Sequence, residues 1–293
     1  MQPEDQFEEH RPLLFSLAYR MLGTRADAED IVQDAYLRWQ NASTEEVRAP
    51  KSYLTTVVAR LSLDSLKSAR RKRETYVGEW LPEPIVEPVG SRSAEMAESL
   101  SLAFLHILET LTPDERVAFL LREVFDADYA EIASTLETSE ANCRQLIARA
   151  RKHIRDRRPR FTVDRARQQK VLQQFLIAAQ TGDASQLLPL LSPDVVMHSD
   201  GGGKVAATIN PIYGADKVSR FFQGIAKKGA TAGLIAKLAA INGSPGALLM
   251  HGENPHGVVS IELDEAGLVE HIFFIVNPEK LPEKHDLAAD ERR

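Results

Sequence analysis

The sequence is poor in the features that mark secreted or membrane-bound proteins. Its one cysteine, Cys143, cannot form an internal disulfide and falls at an apolar position of a predicted helix, which indicates a buried thiol. No apolar run approaches the roughly 20 residues that a membrane-spanning helix requires. The first ten residues, MQPEDQFEEH, are acidic, whereas a signal peptide begins with basic residues followed by apolar ones. We therefore expect a cytoplasmic, mostly helical protein of two or three domains, with no membrane contact.

Positive charge is concentrated in two segments of a chain that is acidic as a whole. Residues 51–73 contain seven Lys or Arg and one Asp, and residues 140–160 contain eight Lys or Arg and two acidic residues, so each segment has a net charge of +6 while the chain has -6. Two local excesses of this size indicate two separate contacts with a polyanion, for which DNA is the obvious candidate.

Composition divides the chain into three domains and a linker. Residues 1–75 and 99–160 show helical patterns, residues 163–285 form a third domain, and residues 286–293 are a tail. The linker, residues 76–98, cannot be a helix because its prolines remove backbone donors and favour extended neighbours. It also contains the large apolar residues Trp80 and Leu81, which predict that it docks on a domain surface.

The first domain is predicted to contain a helix with an acidic face. Gly23 ends one amphipathic helix, and Thr24 begins the next, with Asp27 placed as in a capping box. In this second helix we expect Ile31, Ala35 and either Leu37 or Trp39 to face the core. The outward stripe consists of Asp27, Asp30, Gln33 and Asp34. By charge alone, such a stripe is more typical of a solvated surface than of a binding site.

A third helix follows Pro50 and is strongly basic towards its end. Its apolar positions, such as Leu54 and Val58, predict one buried face. The basic residues on its remaining surface that we expect to contact DNA are Arg60, Lys67, Arg70 and Arg71. Basic side chains at phosphates release condensed counterions, so this patch supports affinity without reading sequence by itself.

The second domain contains a predicted helix-turn-helix. Thr112 to Glu115 supply an N-cap, a proline at the first helical position and a glutamate at the third, so a helix begins there. Next, DYAEIASTL predicts a helix that buries Ile132, Ala133 and Leu136, and Glu137 stands in the turn where glycine is common. The following helix buries Cys143, Leu146, Ile147, Ala150 and Ile154. Its DNA-facing residues are expected to be Asn142, Arg144, Gln145, Arg149 and Arg151.

These segments together resemble the extracytoplasmic-function (ECF) sigma factors of the bacterial sigma-70 family. DAEDIVQDAYLRW is similar to the segment of sigma domain 2 that docks on the clamp helices of the RNA polymerase beta-prime subunit, so the resemblance assigns polymerase binding to the acidic stripe. SYLTTVVARLSLDSLKSARR is similar to the segment that melts and reads the minus-ten promoter element. Arg60 stands where many members have asparagine, so no base preference is carried over. Residues 99–160 resemble sigma domain 4, which reads the minus-thirty-five element, and the family implies the beta flap as a further polymerase contact.

The third domain is predicted to be α+β, with helices first and a curved antiparallel sheet after them. Helices are expected at residues 165–181, 183–191 and 216–228, and strands at 195–198, 234–241, 247–251, 258–263 and 269–276. This order resembles the SnoaL-like group of the nuclear transport factor 2 superfamily, a cone with an interior pocket.

Three motifs are similar to signatures of ECF sigma factors with a C-terminal SnoaL-like extension, the SigJ type. They are WLPEP in the linker, DGGGK at residues 200–204 and NPEKL at residues 277–281. The resemblance implies that the third domain regulates the sigma domains in cis. The implied regulatory residues are Trp80, Leu81, Pro82, Asp200, Gly201, Gly202, Gly203, Lys204, Asn277, Pro278 and Lys280. We expect the segment beginning at Asp200 to contact both the linker and sigma domain 2.

Other functions have less support from the residues. A ligand-responsive helix-turn-helix regulator would leave the acidic stripe and the first basic helix without a role. An isomerase or cyclase in the third domain would need an acid/base pair, and the sequence presents none. His198, His251 and His271 lack metal-ligand spacing and are interpreted as structural, and the glycine run is no phosphate loop because no Ser or Thr follows Lys204. We therefore expect no catalytic residue, metal or cofactor, while a small ligand in the SnoaL-like pocket remains an alternative.

Overall fold

The computed structural model describes residues 3–42, 49–73, 75–88, 100–155 and 164–283. These residues form two compact units. The first comprises residues 1–75 and 105–158, and the second comprises residues 76–104 and 159–293. The described part of the predicted linker, residues 76–88, therefore belongs to the same unit as the C-terminal domain. None of the described helices combines the length and apolarity needed to cross a membrane.

The first unit is all-helical. Its opening helices are α1 (Pro3–Leu22), α2 (Arg25–Asn41) and α3 (Pro50–Arg73). The short α4 (Leu102–Leu108) crosses the boundary, because its first three residues belong to the second unit. After it come α5 (Pro113–Glu123), α6 (Tyr129–Leu136) and α7 (Glu140–Arg155). The predicted apolar face of α1 is buried, and Gly23 takes the positive φ of 75° that ends the helix. Helix α3 packs against α1, α2, α5 and α6, so the two predicted sigma domains form one unit.

Two local predictions for the first unit need correction. Thr24 precedes α2 without capping it, because its hydroxyl donates to Asp27 Oδ2 at 2.5 Å where a capping box would require acceptance from a backbone N–H. In α6, Ile132 is buried as predicted, but Ala133 and Leu136 are only half-buried, and Thr135 takes the second fully buried position. A helix of eight residues presents one narrow buried stripe, and Ile132 and Thr135 occupy it.

The second unit is built on one seven-stranded sheet. Helices α8 (Arg165–Thr181) and α9 (Ala184–Leu187) precede strand β2 (Leu191–Asp200), and α10 (Ala215–Lys227) follows β3 (Ile212–Tyr213). The remaining long strands are β4 (Leu234–Ile241), β5 (Ser244–His251), β6 (Asn254–Leu263) and β7 (Val269–Ile275). The linker supplies β1 (Val86–Glu87). The strand order is β1-β4-β5-β6-β7-β2-β3.

The predicted antiparallel sheet contains one parallel pair, β2 with β7. The remaining pairs are antiparallel, including the two-residue strands β1 and β3, which the sequence did not predict. The helix expected at residues 183–191 is also shorter, because α9 passes into a 3-10 turn and Leu191 already begins β2. Pro189 lies in this turn, where it removes the backbone donor that a longer helix would use.

The sheet of the second unit carries apolar side chains on both faces. One face packs on α8 and α10 around Leu172, Phe175 and Phe222. The opposite face holds Leu248 and Phe273 among its buried residues, and it is covered in part by residues that precede the C-terminal domain in sequence. These covering residues are Leu81, Leu102 and Ala103. Leu81 of the linker and the first turn of α4 are therefore part of the hydrophobic core of this unit.

Candidate functional sites

The acidic stripe of α2 lies on the solvent side of the helix. Asp27, Asp30, Gln33 and Asp34 are all exposed. The opposite side is anchored by Trp39, which is 1% exposed, whereas Leu37 is 48% exposed and lies next to the stripe. The core residue of the predicted alternatives is thus Trp39. The surface of α2 combines carboxylates with one large apolar side chain.

The basic residues of α3 do not all share one environment. Lys67 is exposed and pairs with Asp114 at 3.3 Å. Arg60 donates from Nη2 to the carbonyl of Ser134 at 2.7 Å and from Nε to the carbonyl of Thr135 at 3.3 Å. Arg70 and Arg71 belong to the last turn of α3, where the side chains lie outside the described part of the chain.

The helix-turn-helix has well-defined caps and a strained turn. Thr112 and Glu115 form the predicted capping box of α5, and Asp128 and Glu131 form another at α6. Glu137 ends α6 with φ 51° and ψ 46°, the left-handed conformation that glycine adopts most easily. The five apolar residues predicted to be buried in α7 are buried, including Cys143, and burial raises the pKa of its thiol.

The predicted DNA-facing residues lie on α7, but their side chains have different partners. Gln145 is exposed, and Asn142 is half-buried and donates to Thr138 Oγ1 at 3.0 Å. The three arginines are exposed and each pairs with a carboxylate: Arg144 with Glu140 at 2.8 Å, Arg149 with Glu115 at 3.6 Å and Arg151 with Glu123 at 2.6 Å.

The ring of Tyr129 in α6 lies next to two arginines. Arg144 lies over it at 4.6 Å and Arg122 at 5.0 Å. These pairs orient the cationic face of α7 before any ligand binds.

In the second unit, the three sequence motifs meet at the carboxylate of Asp200. This residue is 0% exposed and ends β2. Its oxygens accept from Leu81 N at 2.9 Å, Tyr76 Oη at 2.6 Å, Gly202 N at 3.0 Å and Lys280 Nζ at 2.7 Å. We call Asp200, Lys280, Tyr76 and Leu81 the linker anchor. It joins the linker to the C-terminal domain through buried, charge-assisted hydrogen bonds.

Lys280 also contacts two residues of the linker. Its ammonium group also donates to the carbonyl of Leu81 at 2.5 Å and lies 4.1 Å from the ring centre of Trp80. Cation–π attraction therefore adds to the ion pair with Asp200. Burial, followed by the hydrogen bond to Asp200, raises the pKa of Tyr76, so its phenol stays protonated as the donor.

The glycine run after Asp200 allows Asn277 and the linker to lie close to its backbone. A Cβ at Gly202 would lie 2.5 Å from the amide nitrogen of Asn277, and one at Gly203 would lie 2.9 Å from Val77 of the linker. Asn277 in turn donates to Tyr76 Oη at 2.9 Å. Lys204 is exposed and forms an ion pair with Glu279. Tyr76 escaped sequence-based prediction because it lies outside the three motifs, and no local pattern connects it to Asp200, 124 positions away.

The histidines of the sheet adjoin the linker as well. His198 is buried and its Nδ1 lies 2.8 Å from Glu79 Oε1, while its ring stacks on Phe273 with 5.1 Å between centroids. Its Nε2 lies 3.4 Å from Nδ1 of His271. His251 is exposed at the end of β5. His198 thus has the hydrogen-bonded, packed environment of a structural histidine.

Sequence comparison connects this arrangement to known proteins. The chain is 42% identical over 251 residues to "ECF RNA polymerase sigma factor SigJ" of Mycobacterium tuberculosis, covering 83% of this chain and 79% of that protein. The chain belongs to the extracytoplasmic-function sigma factors. The family profile "Sigma-70 region 2" matches residues 6–72 of this sigma factor, and "Sigma-70, region 4" matches residues 101–154.

Two further comparisons extend the similarity into the C-terminal domain. The sigma factor is 33% identical over 278 residues to "Probable ECF RNA polymerase sigma factor SigI" of Mycobacterium tuberculosis, covering 93% of this chain and 92% of the other. It also superimposes on the crystal structure of Mycobacterium tuberculosis SigJ with a TM-score of 0.76 and 37% identity, covering 94% and 97% of the two chains. The predictions of an ECF sigma factor, and of two helical sigma domains followed by an α+β domain, are confirmed.

Proposed function

This ECF sigma factor directs RNA polymerase to promoters, and we propose that its linker anchor regulates that activity in cis. The convergence of three motifs on the buried carboxylate of Asp200 carries the proposal. Because the linker connects the two sigma domains along the chain, fixing its first half to the C-terminal domain restricts the positions that these domains can take. An attached regulator acts at a high effective concentration, so even a weak contact biases the arrangement of the domains.

For the polymerase contact, we propose the exposed face of α2. Asp27, Asp30, Gln33 and Asp34 supply hydrogen-bond acceptors and charge, and Leu37 supplies exposed apolar area in their midst. The resemblance of this segment to the polymerase-docking helix of sigma domain 2, together with the full exposure of the four polar residues, supports this assignment. The beta-prime clamp helices are the proposed partner of this face, and the beta flap is the proposed partner of the second sigma domain.

For promoter DNA, we propose two contacts. The C-terminal half of α3, with Lys67, Arg70 and Arg71, lies at the minus-ten element, and α7 lies in the major groove at the minus-thirty-five element. Gln145 and Asn142 carry the amide groups suited to adenine, whereas Arg144, Arg149 and Arg151 contact guanine or phosphates. The protein contributes no catalytic step of its own, because bond formation belongs to the polymerase, and it works in the cytoplasm where the polymerase is.

Run-off transcription with purified core polymerase tests these proposals in the full-length chain. Asp34→Lys should weaken core binding, and Arg149→Ala should weaken promoter binding while core binding is kept. Asp200→Asn should change the transcript yield with both binding surfaces intact, whereas Asp216→Asn, on the exposed face of α10, should not. An equal yield from Asp200→Asn and the wild type would reject regulation through the linker anchor.

A further inference from the structure

Arg60 makes a contact that its proposed place on the minus-ten helix does not explain. Its guanidinium donates to the carbonyls of Ser134 and Thr135 at 2.7 and 3.3 Å. Both carbonyls belong to the last turn of α6, which ends at Leu136. The last carbonyls of a helix have few intrahelical donors and carry the negative end of the helix dipole. The carbonyl of Ser134 accepts only a long bond of 3.4 Å from the backbone N–H of Glu137. A planar cationic fork with several donors is well matched to such an end.

Two further polar contacts flank Arg60 on the same side of α3. Ser52 donates to Glu131 Oε1 at 2.5 Å, and Lys67 pairs with Asp114 Oδ1 at 3.3 Å. Positions 52, 60 and 67 are about two helical turns apart and therefore share one face of the helix. One face of α3 thus runs along α5 and α6, the helices that support the recognition helix α7.

This contact is incompatible with simultaneous binding of both promoter elements. Elements named for positions minus ten and minus thirty-five are centred about 25 base pairs apart, which is roughly 85 Å of duplex at about 3.4 Å per base pair. From Arg60 to the end of α3 is about 20 Å, and the 16 residues of α7 span about 24 Å. The two DNA-reading helices cannot reach both elements while Arg60 stays bonded to α6.

We propose that Arg60 is an intramolecular latch, which holds the minus-ten helix against the helix-turn-helix in the free sigma factor and opens when core polymerase binds. Arg60 then holds the two sigma domains together and does not read minus-ten bases. The inference rests on the proposed assignment of α3 and α7 to the two promoter elements. It adds a second restraint, located within the sigma domains and chemically separate from the linker anchor.

The latch makes a quantitative prediction for core binding. When a ligand binds only an open state, its apparent dissociation constant is the intrinsic constant divided by the open fraction. The two sigma domains have separate proposed contacts on the polymerase, so core polymerase is taken to bind only the open state. Loss of charge-assisted hydrogen bonds such as those of Arg60 shifts the closed-to-open ratio about tenfold or more. Arg60→Ala should therefore bind core about tenfold more tightly than the wild type, provided the open fraction is small.

The measurement is a fluorescence titration of full-length wild type and Arg60→Ala with core polymerase, followed by run-off transcription on templates with single-base changes in the minus-ten element. Arg11→Ala is the matched control. It removes one arginine and its exposed ion pairs with Glu8 and Glu29, both within the first two helices. Arg60→Lys keeps the charge but not the fork, so it should fall between the wild type and Arg60→Ala, and it substitutes for Arg60→Ala if that variant fails to fold.

Tighter core binding by Arg60→Ala, with the same order of preference among minus-ten templates and no effect of Arg11→Ala, is the expected result. Unchanged or weaker core binding overturns the latch, and so does a changed minus-ten base preference, which would make Arg60 a base reader. Failure of the wild type to initiate at any promoter would instead contradict the assignment of the two helices to promoter elements.

Discussion

The ammonium group of Lys280 lies 2.7 Å from Oδ2 of Asp200, and the two side chains are 7% and 0% exposed. The pair is one of four interactions of the Asp200 carboxylate, and two of the others come from the linker residues Tyr76 and Leu81. Two charges removed from water in this way are tolerated because each has several hydrogen-bonding partners. The stability of the C-terminal domain and the position of the linker therefore depend on the same few atoms.

Removal of the cation should destabilise the second unit strongly. Lys280→Met leaves the carboxylate of Asp200 buried without its charge partner, which is expected to cost about 3–5 kcal/mol. Urea denaturation of the full chain measures this loss. Lys217→Met, at an exposed position of α10, is the matched control and should cost almost nothing. Asp200→Asn combined with Lys280→Met should cost less than the sum of the single changes, and strict additivity would contradict the coupling.

Charge reversal at Lys204 should act on transcription and not on stability. Lys204 and Glu279 form an ion pair with side chains 47% and 65% exposed, and such surface pairs contribute at most about 1 kcal/mol. Lys204→Glu is expected to alter the run-off yield while the unfolding midpoint stays within error. Lys204→Glu with Glu279→Lys should restore the yield if the pair itself matters. If Lys204→Glu leaves the run-off yield unchanged, Lys204 is not part of the regulatory surface.

The turn of the helix-turn-helix should be stabilised by glycine. Glu137 has a φ of 51°, where a side chain is disfavoured, so Glu137→Gly should raise the free energy of unfolding by about 0.5–1 kcal/mol. Ala148→Gly, at an exposed interior position of α7, should lower it by a similar amount. Thermal or urea unfolding compares the two. A loss of stability in both variants would show that Glu137 makes a compensating interaction.

The pH dependence of stability should contain a contribution from Glu262. Burial, and secondarily the nearby Glu270, raises the pKa of Glu262 from 4.5 to about 7. Between these values the folded state holds the proton that the unfolded state has released, so this contribution to stability is fully present below pH 4.5 and is lost as pH rises through 7. Glu262→Gln should therefore stabilise the protein at pH 8 by about 2 kcal/mol and have little effect at pH 4.5. Thermal melts at the two pH values test this, and an equal effect at both would contradict the assigned pKa.

Local sequence patterns predicted the long elements but not the pairing of distant ones. Helix α8 and strand β4 have the predicted bounds, and turn residues mark their ends: Gly182 follows α8, and Gly233 and Asn242 flank β4. The two-residue strands β1 and β3 are too short to show a period. The parallel pairing of β2 with β7 depends on segments about 75 residues apart, which no local pattern encodes.

In the candidate sites, too, local features were predicted from the sequence and contacts between distant residues were not. The apolar spacing of α2 and α7 predicted which of their faces are exposed, because a helix fixes the direction of its side chains. The resemblance identified the motif residues of the linker anchor, yet the carboxylate of Asp200 as their meeting point emerges only from the fold. Arg60 was assigned to DNA from its charge and from the resemblance to the minus-ten segment, and neither predicts which backbone carbonyls its guanidinium contacts.

The sheet of the C-terminal domain ends on both sides in strands of only two residues, β1 and β3. Short terminal strands offer few unpaired backbone groups to a neighbouring molecule and so protect against edge-to-edge aggregation. On one side that protection is the linker itself, which pairs with Ile241 and Ala240 of β4. Detaching the linker would lengthen the uncovered edge of an eight-residue strand whose Ile235 is already 60% exposed. Keeping the linker in place thus also limits the length of strand edge that another chain could pair with.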